Sequence, residues 1–305
     1  MMQIPLINLA AFTNGNLETR QIIAKQIYQA CQEIGFMYLQ NFSISSELIE
    51  QVFNQSQHFF NLPLETKQQL AWTDKYSNVG YVGIERESLN PQQPGDLKEA
   101  FNILAAKQES NHPAFSPAKN AQILGFMQAC TALAHTVLEA FALALELPID
   151  YFTTRHNQQN HTLRLLHYPP LTTPVKPGQI RAGEHSDYGS ITLLFQDLMG
   201  GLELQTKDGK WITAPSIPQT VIVNTGDLMQ RWTNRVFCST KHRVILPDDS
   251  RNQKSRYSIA FFCHPNHDTE IACLESCKKE PSDNYPPILA GEYLISRLKV
   301  TFDTI

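Results

Sequence analysis

The chain has no run of about 18 apolar residues, no block of basic residues, no low-complexity linker and no repeat at a period of roughly 20 to 50 residues. The first absence removes a membrane span from expectation, and the last two remove solenoids and strings of tethered modules. Lys and Arg together number 25 against 29 Asp and Glu, a net charge of -4, so nucleic acid is not an expected partner. Dense cysteine is missing too: the 6 thiols (Cys31, Cys130, Cys238, Cys263, Cys273, Cys277) are scattered as in a reducing compartment and are read as unpaired. The opening MMQIPLINLAAF has neither the basic start nor the long apolar stretch of a secretory signal, so a cytoplasmic protein is expected.

What is present is enough for a large core. Hydrophobic residues make up 42% of 305, with 16 Phe and 10 Tyr, which excludes disorder as the main state. Residues 20–34 place Ile23, Ile27, Cys31 and Ile34 at helical spacing, with Gly35 ending the helix. FMYL at 36–39 reads as a strand, residues 48–60 as a second helix, and 120–146 as a long helix carrying Ile123, Met127, Cys130, Ala134, Leu138 and Phe141. Between them, 74–118 is rich in proline and weak in periodicity, an irregular cover of the kind that lines sites. From about 162 the texture becomes strand-like: TLRLLHY, SITLLF, GLELQT, WITAP, TVIVN, STKHRVIL and RYSIAFF, enough for a jelly roll or barrel, before a final helix over Ala290–Phe302. The expectation is a mixed α and β protein with a jelly-roll core flanked by helices. It would be one compact unit, with an N-terminal helical and substrate-covering region (1–155) and a core with its C-terminal helix (156–305).

In GEHSDYGSITLLF, His185 and Asp187 stand two apart, and in extended chain such residues face the same side. His242, in STKHRVIL, supplies a third donor from another strand. Two histidines and one carboxylate on one face of a metal leave the opposite face open, the arrangement of non-haem Fe(II) oxygenases. A keto acid chelating such an iron leaves its far carboxylate in an apolar pocket, where Arg256 offers a bidentate partner and Ser258, two residues along, a further hydrogen bond. In LRLLHYPP, alternation puts Arg164, Leu166 and Tyr168 on one face and His167 on the other, where His167 reads as a hydrogen-bonded core histidine. Leu193 and Phe195 continue the odd-numbered alternation from Asp187 and would line the interior if no turn intervenes. Cys263, His264, His267 and Asp268 with Cys273 and Cys277 are the raw material of a structural zinc site, but their spacing is poor and an exposed loop with free thiols fits better.

With these motifs in order, the sequence resembles the isopenicillin N synthase-like branch of the Fe(II)- and 2-oxoglutarate-dependent oxygenases. The likeness runs from IPLINL through ACQEIGFMYLQNFSIS, FFNLPLETK, LRLLHYPP, GEHSDYGSITLLF, GGLELQ, VIVNTGDLMQRWTN, STKHRVILP and RYSIAFF to YPPILAGEYLISR. It implies a double-stranded β-helix, His185, Asp187 and His242 as iron ligands, Arg256 and Ser258 as the 2-oxoglutarate clamp, and Tyr168 beside the cosubstrate. Where plant members often carry Asn two residues before that tyrosine, this chain has Leu166. Asp227 falls in a matching motif but reads as a turn or cap aspartate. The implied activity is oxidation, by default hydroxylation, of a small organic molecule using O2 and 2-oxoglutarate, with release of succinate and CO2. The alternatives are an iron oxidase of the same fold that dispenses with 2-oxoglutarate, or a non-catalytic metal-binding barrel. Substrate contacts are expected from YSNVGYVGIERE, GDLKEAFNIL and the C-terminal helix, with Tyr76, Tyr81, Glu85 and Arg86 as candidates.

Overall fold

A computed structural model describes residues 3–72, 78–87, 94–105, 115, 117–172, 174–247, 249–278 and 285–302. In chain order the strands are β1 (Leu6–Asn8), β2 (Phe36–Gln40), β3 (Gly80–Val82), β4 (Glu99–Leu104), β5 (Thr162–Tyr168), β6 (Ala182–His185) and β7 (Ile191–Gln196). They continue with β8 (Leu202–Gln205), β9 (Trp211–Thr213), β10 (Thr220–Thr225), β11 (His242–Val244), β12 (Arg256–Cys263), β13 (Glu270–Ile271) and β14 (Ile288–Leu289). The helices are α1 (Ala10–Asn14), α2 (Leu17–Glu33), α3 (Ser46–Phe60), α4 (Leu64–Gln68), α5 (Pro117–Ala144), α6 (Asp227–Trp232) and α7 (Ala290–Phe302).

Eight strands form one sheet in the order β1-β2-β10-β7-β12-β5-β4-β3, and four form a second in the order β6-β11-β8-β9. Strands from both sides of residue 155 share the large sheet. The two sheets face each other as a jelly roll, and α2, α3 and α5 cover the outer face of the large one. Period-2 alternation sorts its side chains. Met37, Leu39, Leu163, Leu165, Val221, Val223, Ile259 and Phe261 pack outward into the helical core. Phe36, Tyr38, Leu166, Tyr168, Ile222 and Ala260 point inward, meeting Ala182, Leu202, Leu204 and Val244 of the small sheet.

The helices form where the spacing places them. In α2, Ile23, Ile27 and Cys31 bury one face, Asn16 caps the start by accepting from the Thr19 amide at 2.9 Å, and Gly35 ends it at φ +70. A Cβ on Gly35 would lie 2.2 Å from the Cys238 carbonyl, so both conformation and space demand glycine there. By length and composition Ala118–Ala144 of α5 could cross a membrane, but 56% of its most apolar window is buried inside the fold, where it serves as a core helix against α2, α3 and the sheet.

Three expectations are corrected. The segment 74–118 is not wholly irregular: β3 and β4 extend the large sheet, hidden from periodicity because Glu99–Leu104 is buried on nearly every side and so does not alternate. Leu193 and Phe195 do not line the interior, because a turn over Tyr188–Ser190 resets the alternation after Asp187 and leaves Thr192 and Leu194 facing inward. Cys263 and Cys277 are buried, so the stretch they bracket is not the freely exposed loop expected.

Behind the turn lies buried His156, whose ring nitrogens meet the Phe152 carbonyl at 2.7 Å and Ser190 Oγ at 2.8 Å. Burial pushes His156 and the equally buried His161 from 6.5 down to about 3. Both stay neutral when folded but take up protons when unfolded, so stability is fully present above pH 6.5 and is lost as pH falls toward 3. The thermal midpoint of the metal-free protein should be flat between about pH 8 and 6.5. By pH 5 each histidine should remove up to about 2 kcal/mol, before carboxylates enter below about pH 4.5. A midpoint unchanged from pH 7 to 5 would refute this.

Candidate active site and metal centre

His185 ends β6, Asp187 follows in the turn, and His242 opens β11, directly opposite His185 in the antiparallel register. One donor atom from each lies within 4.8 Å of the other two, and among the described residues no other three His, Cys, Asp or Glu form such a group. The geometry is fixed from behind. His185 Nδ1 meets the Gly183 carbonyl at 2.8 Å and His242 Nδ1 meets that of Thr240 at 3.1 Å, so each Nδ1 carries the proton and each Nε2 lone pair is free. Asp187 Oδ2 accepts from Thr192 Oγ1 at 2.6 Å and Asn224 Nδ2 at 2.7 Å, leaving Oδ1 toward His242 Nε2 at 3.7 Å. Burial, then the neighbouring His242, pushes His185 down to about 3. Burial raises the Asp187 carboxyl, but His242, His185 and its two hydrogen bonds more than offset this and hold it below the usual range. A neutral His185 beside an ionised Asp187 is what a divalent metal requires of these two groups, and two nitrogens with one oxygen suit Fe(II).

Next to this cluster, Arg256 is 1% exposed. Its Nε donates to the Gly200 carbonyl at 2.8 Å, Nη1 to Ser258 Oγ at 3.3 Å and Nη2 to Gln196 Oε1 at 3.1 Å, and its plane lies over the Tyr168 ring at 4.6 Å. All of these acceptors are neutral, and among the described residues no carboxylate reaches Arg256. A guanidinium has five N–H donors, so one remains on each Nη, the fork that a carboxylate fills. Tyr168 and Leu166 stand opposite Arg256 and Ser258 in the β5–β12 register, and Leu166 makes that wall apolar. A cavity of about 450 Å³ joins the triad and Arg256 to the inner face of α7.

Residues 4–123 match the family described as non-haem dioxygenase in morphine synthesis N-terminal, and 159–265 match the 2OG-Fe(II) oxygenase superfamily. A proline hydroxylase of Petromyces alliaceus is 32% identical, the match covering 99% of this chain and 100% of the relative. The chain belongs to the isopenicillin N synthase-like 2OG-Fe(II) oxygenases. A 2-oxoglutarate-dependent dioxygenase of Aspergillus rugulosus is 30% identical, with 90% of this oxygenase and 92% of that protein covered. The crystal structure of a full-length Neurospora crassa protein in complex with alpha-KG and thymine superimposes with a TM-score of 0.88 at 36% identity, covering 97% of this chain and 96% of that one. This oxygenase is accordingly a 2-oxoglutarate-dependent dioxygenase that uses Fe(II) and acts on a small molecule.

The expected covering segments reach the cavity, but not through the residues singled out. Tyr76 lies outside the described residues. Tyr81 turns into the core and donates to Glu99 Oε2 at 2.6 Å. Glu85, at φ +61, points outward to Lys176 at 2.6 Å and Gln179 at 2.8 Å, and Arg86 is exposed. The wall is formed instead by Asn78, Glu87 and Lys98 from the same two segments, with Arg164 from β5 and Leu294, Ile295 and Leu298 from α7. His264 and His267 also line it and join no metal cluster among the described residues. His167 binds Glu99 at 2.7 Å and Ser255 at 2.9 Å on the far side of the strand. Asp227 starts α6, its carboxylate accepting from Ser239 at 2.6 Å and Tyr293 at 2.9 Å.

Thr192 and Asn224 went unremarked in the sequence, although polar residues at inward positions of ITLLFQ and TVIVNT were the signal. Asn224→Ala should weaken Fe(II) binding roughly 10- to 100-fold while the circular dichroism spectrum stays native. Unaltered affinity would separate Asn224 from the cluster.

Proposed function

We propose that His185, Asp187 and His242 hold the iron of this oxygenase, that Arg256, Ser258 and Tyr168 hold 2-oxoglutarate, and that the outcome is hydroxylation of a small organic molecule. The observation that carries the assignment is the buried Arg256: a cation with two unused N–H groups, no described carboxylate partner and a place beside the only three-donor cluster of the described residues. Leaving such a charge unpaired is costly, and a dicarboxylate resolves the cost. With iron and keto acid in place, O2 is split so that one oxygen atom ends in succinate, formed with CO2, and the other in the hydroxylated product. The chain's part is positional. The carbonyls of Gly183 and Thr240 aim the two imidazoles, Thr192 and Asn224 keep Asp187 ionised and leave one of its oxygens to bind, and Gly200 and Gln196 lock the guanidinium. The apolar inter-sheet residues Leu166, Ala182, Leu202 and Val244 keep water from the reacting centre. We also propose a cytoplasmic setting, supported by 6 cysteines that are all free.

Anaerobic addition of Fe(II) and then 2-oxoglutarate should produce the weak visible band of a chelated keto acid. Arg256→Ala should raise the 2-oxoglutarate concentration needed for that band at least tenfold, in line with the loss of a charge-assisted bidentate pair, with little change in iron affinity. His185→Ala should abolish iron binding in a folded protein. Equal effects of Arg256→Ala on metal and keto acid would overturn the clamp, and iron retained by His185→Ala would overturn the triad.

A further inference from the structure

We infer that the substrate is uncharged and presents a hydrogen-bond donor beside an acceptor, as a cyclic amide or imide does, to the end of the cavity formed by Glu87, Lys98 and Arg164. This rests on the proposed reading of the triad and Arg256, and adds the class of molecule that the iron would oxidise.

Two arginines project into the same chamber and are treated in opposite ways. Arg256 has no described carboxylate and so awaits an anion. Arg164 lies two inward positions from Tyr168 on β5, opposite Ala260, and both line the cavity. Its Nη2 donates to Glu87 Oε2 at 2.5 Å, and the same oxygen takes Lys98 Nζ at 3.3 Å. Lys98 also pairs with Asp96, whose Oδ1 accepts from the Gly183 amide at 2.9 Å, so the group is tied to the strand that carries His185. Burial pushes the Glu87 carboxyl up, yet Arg164 and Lys98 outweigh it and hold it at about 2.

Two cations thus meet two carboxylates, and among the described residues this end of the cavity is electrically balanced. An anionic substrate would have to take Arg164 from Glu87, and a cationic one would face Arg164 and Lys98. Either leaves a buried charge unmatched. The balance still leaves hydrogen-bonding capacity. Among the described residues Arg164 gives one guanidinium N–H, on Nη2, to Glu87 and keeps others on its Nη atoms, and Glu87 carries both ion pairs on Oε2, leaving Oε1 to accept. A neutral N–H beside a C=O answers both. Phe262, Tyr188 and Leu294 complete the wall with surface suited to a ring.

The test is calorimetric titration of the anaerobic Fe(II)- and 2-oxoglutarate-loaded protein with uracil, benzamide, benzoate and benzylamine. The keto-acid band is recorded first in the same sample, so the oxygenase reading stands or falls separately. Uracil and benzamide should bind roughly tenfold or more tighter than benzoate and benzylamine. Glu87→Gln, which makes the group net positive, should shift preference toward benzoate, and Arg164→Gln, which makes it net negative, toward benzylamine. These are gains of binding that an unfolded variant cannot imitate, and the ranking in the unaltered protein decides alone if a variant does not fold. Preference for either charged probe, binding of none of them beside an intact band, or a ranking that neither folded variant moves would overturn the inference.

Discussion

The large sheet is buried on both faces, and this double burial governs the molecule. One face belongs to α2, α3 and α5 and is mostly apolar, with His167 and Lys67 paired to Glu99 at its β4–β5 end. The other faces the small sheet across a cavity walled largely by apolar side chains. Every polar side chain on that inner face must therefore find a protein partner or hold a ligand. Thr192 and Asn224 find Asp187, and Ser258 and Gln196 find Arg256. Among the described residues, the groups then left over include an imidazole nitrogen on each of His185 and His242, one Asp187 oxygen, the open fork of Arg256, Gln196 Nε2 and the edge of Arg164 and Glu87.

The aspartate of the triad sits in a turn, so its precision is borrowed from neighbours. The Asp227 amide at the start of α6 donates to the Asp187 carbonyl at 2.7 Å, and the Gly226 amide to that of Ser190 at 2.9 Å. The two chain segments pass so closely that a Cβ on Gly226 would lie 2.4 Å from the Gly189 carbonyl and 2.9 Å from that of Asp187. Asp227 in turn is pinned to Tyr293, linking this prop to α7, which also walls the cavity. A loop clamped in this way can present a ligand with the rigidity that sites usually take from strands.

Much of this is legible in the sequence, for identifiable reasons. The strands TLRLLHY, TVIVN and RYSIAFF show themselves through apolar and β-branched density, and His185, Asp187, His242, Arg256 and Ser258 through spacings that a strand converts into one shared face. Alternation on β5 places Arg164, Leu166 and Tyr168 together, as the cavity wall has them. What fails is local. The turn after Asp187 resets the parity of β7, and β4 gives no period because both of its faces are buried. In the covering segment the stretch is identifiable, but its residue types favour Glu85 and Arg86 no less than Glu87. A left-handed backbone at Glu85 and the hydrogen bonds joining 85–87 to Asp96 decide which way each side chain points, and nothing in the residue types reveals that.

On the proposed reading, the placement of Tyr168 and Arg164 on one strand sets a scale for the substrate. At roughly 3.3 Å per residue, four residues of β5 separate the two groups by about 13 Å along the strand. The His185, Asp187 and His242 cluster lines the same cavity from β6, β11 and the turn that follows β6. If, as proposed, Arg256 holds the keto acid and Arg164 meets the substrate, a molecule at Arg164 has to present its C–H to the triad without crossing the Arg256 end, which favours a compact ring or a short chain. Lengthening the substrate would require moving Arg164, and Glu87, Lys98, Asp96 and the Gly183 amide oppose that together. On that reading, size selection and charge selection both trace to Arg164, Glu87, Lys98 and Asp96.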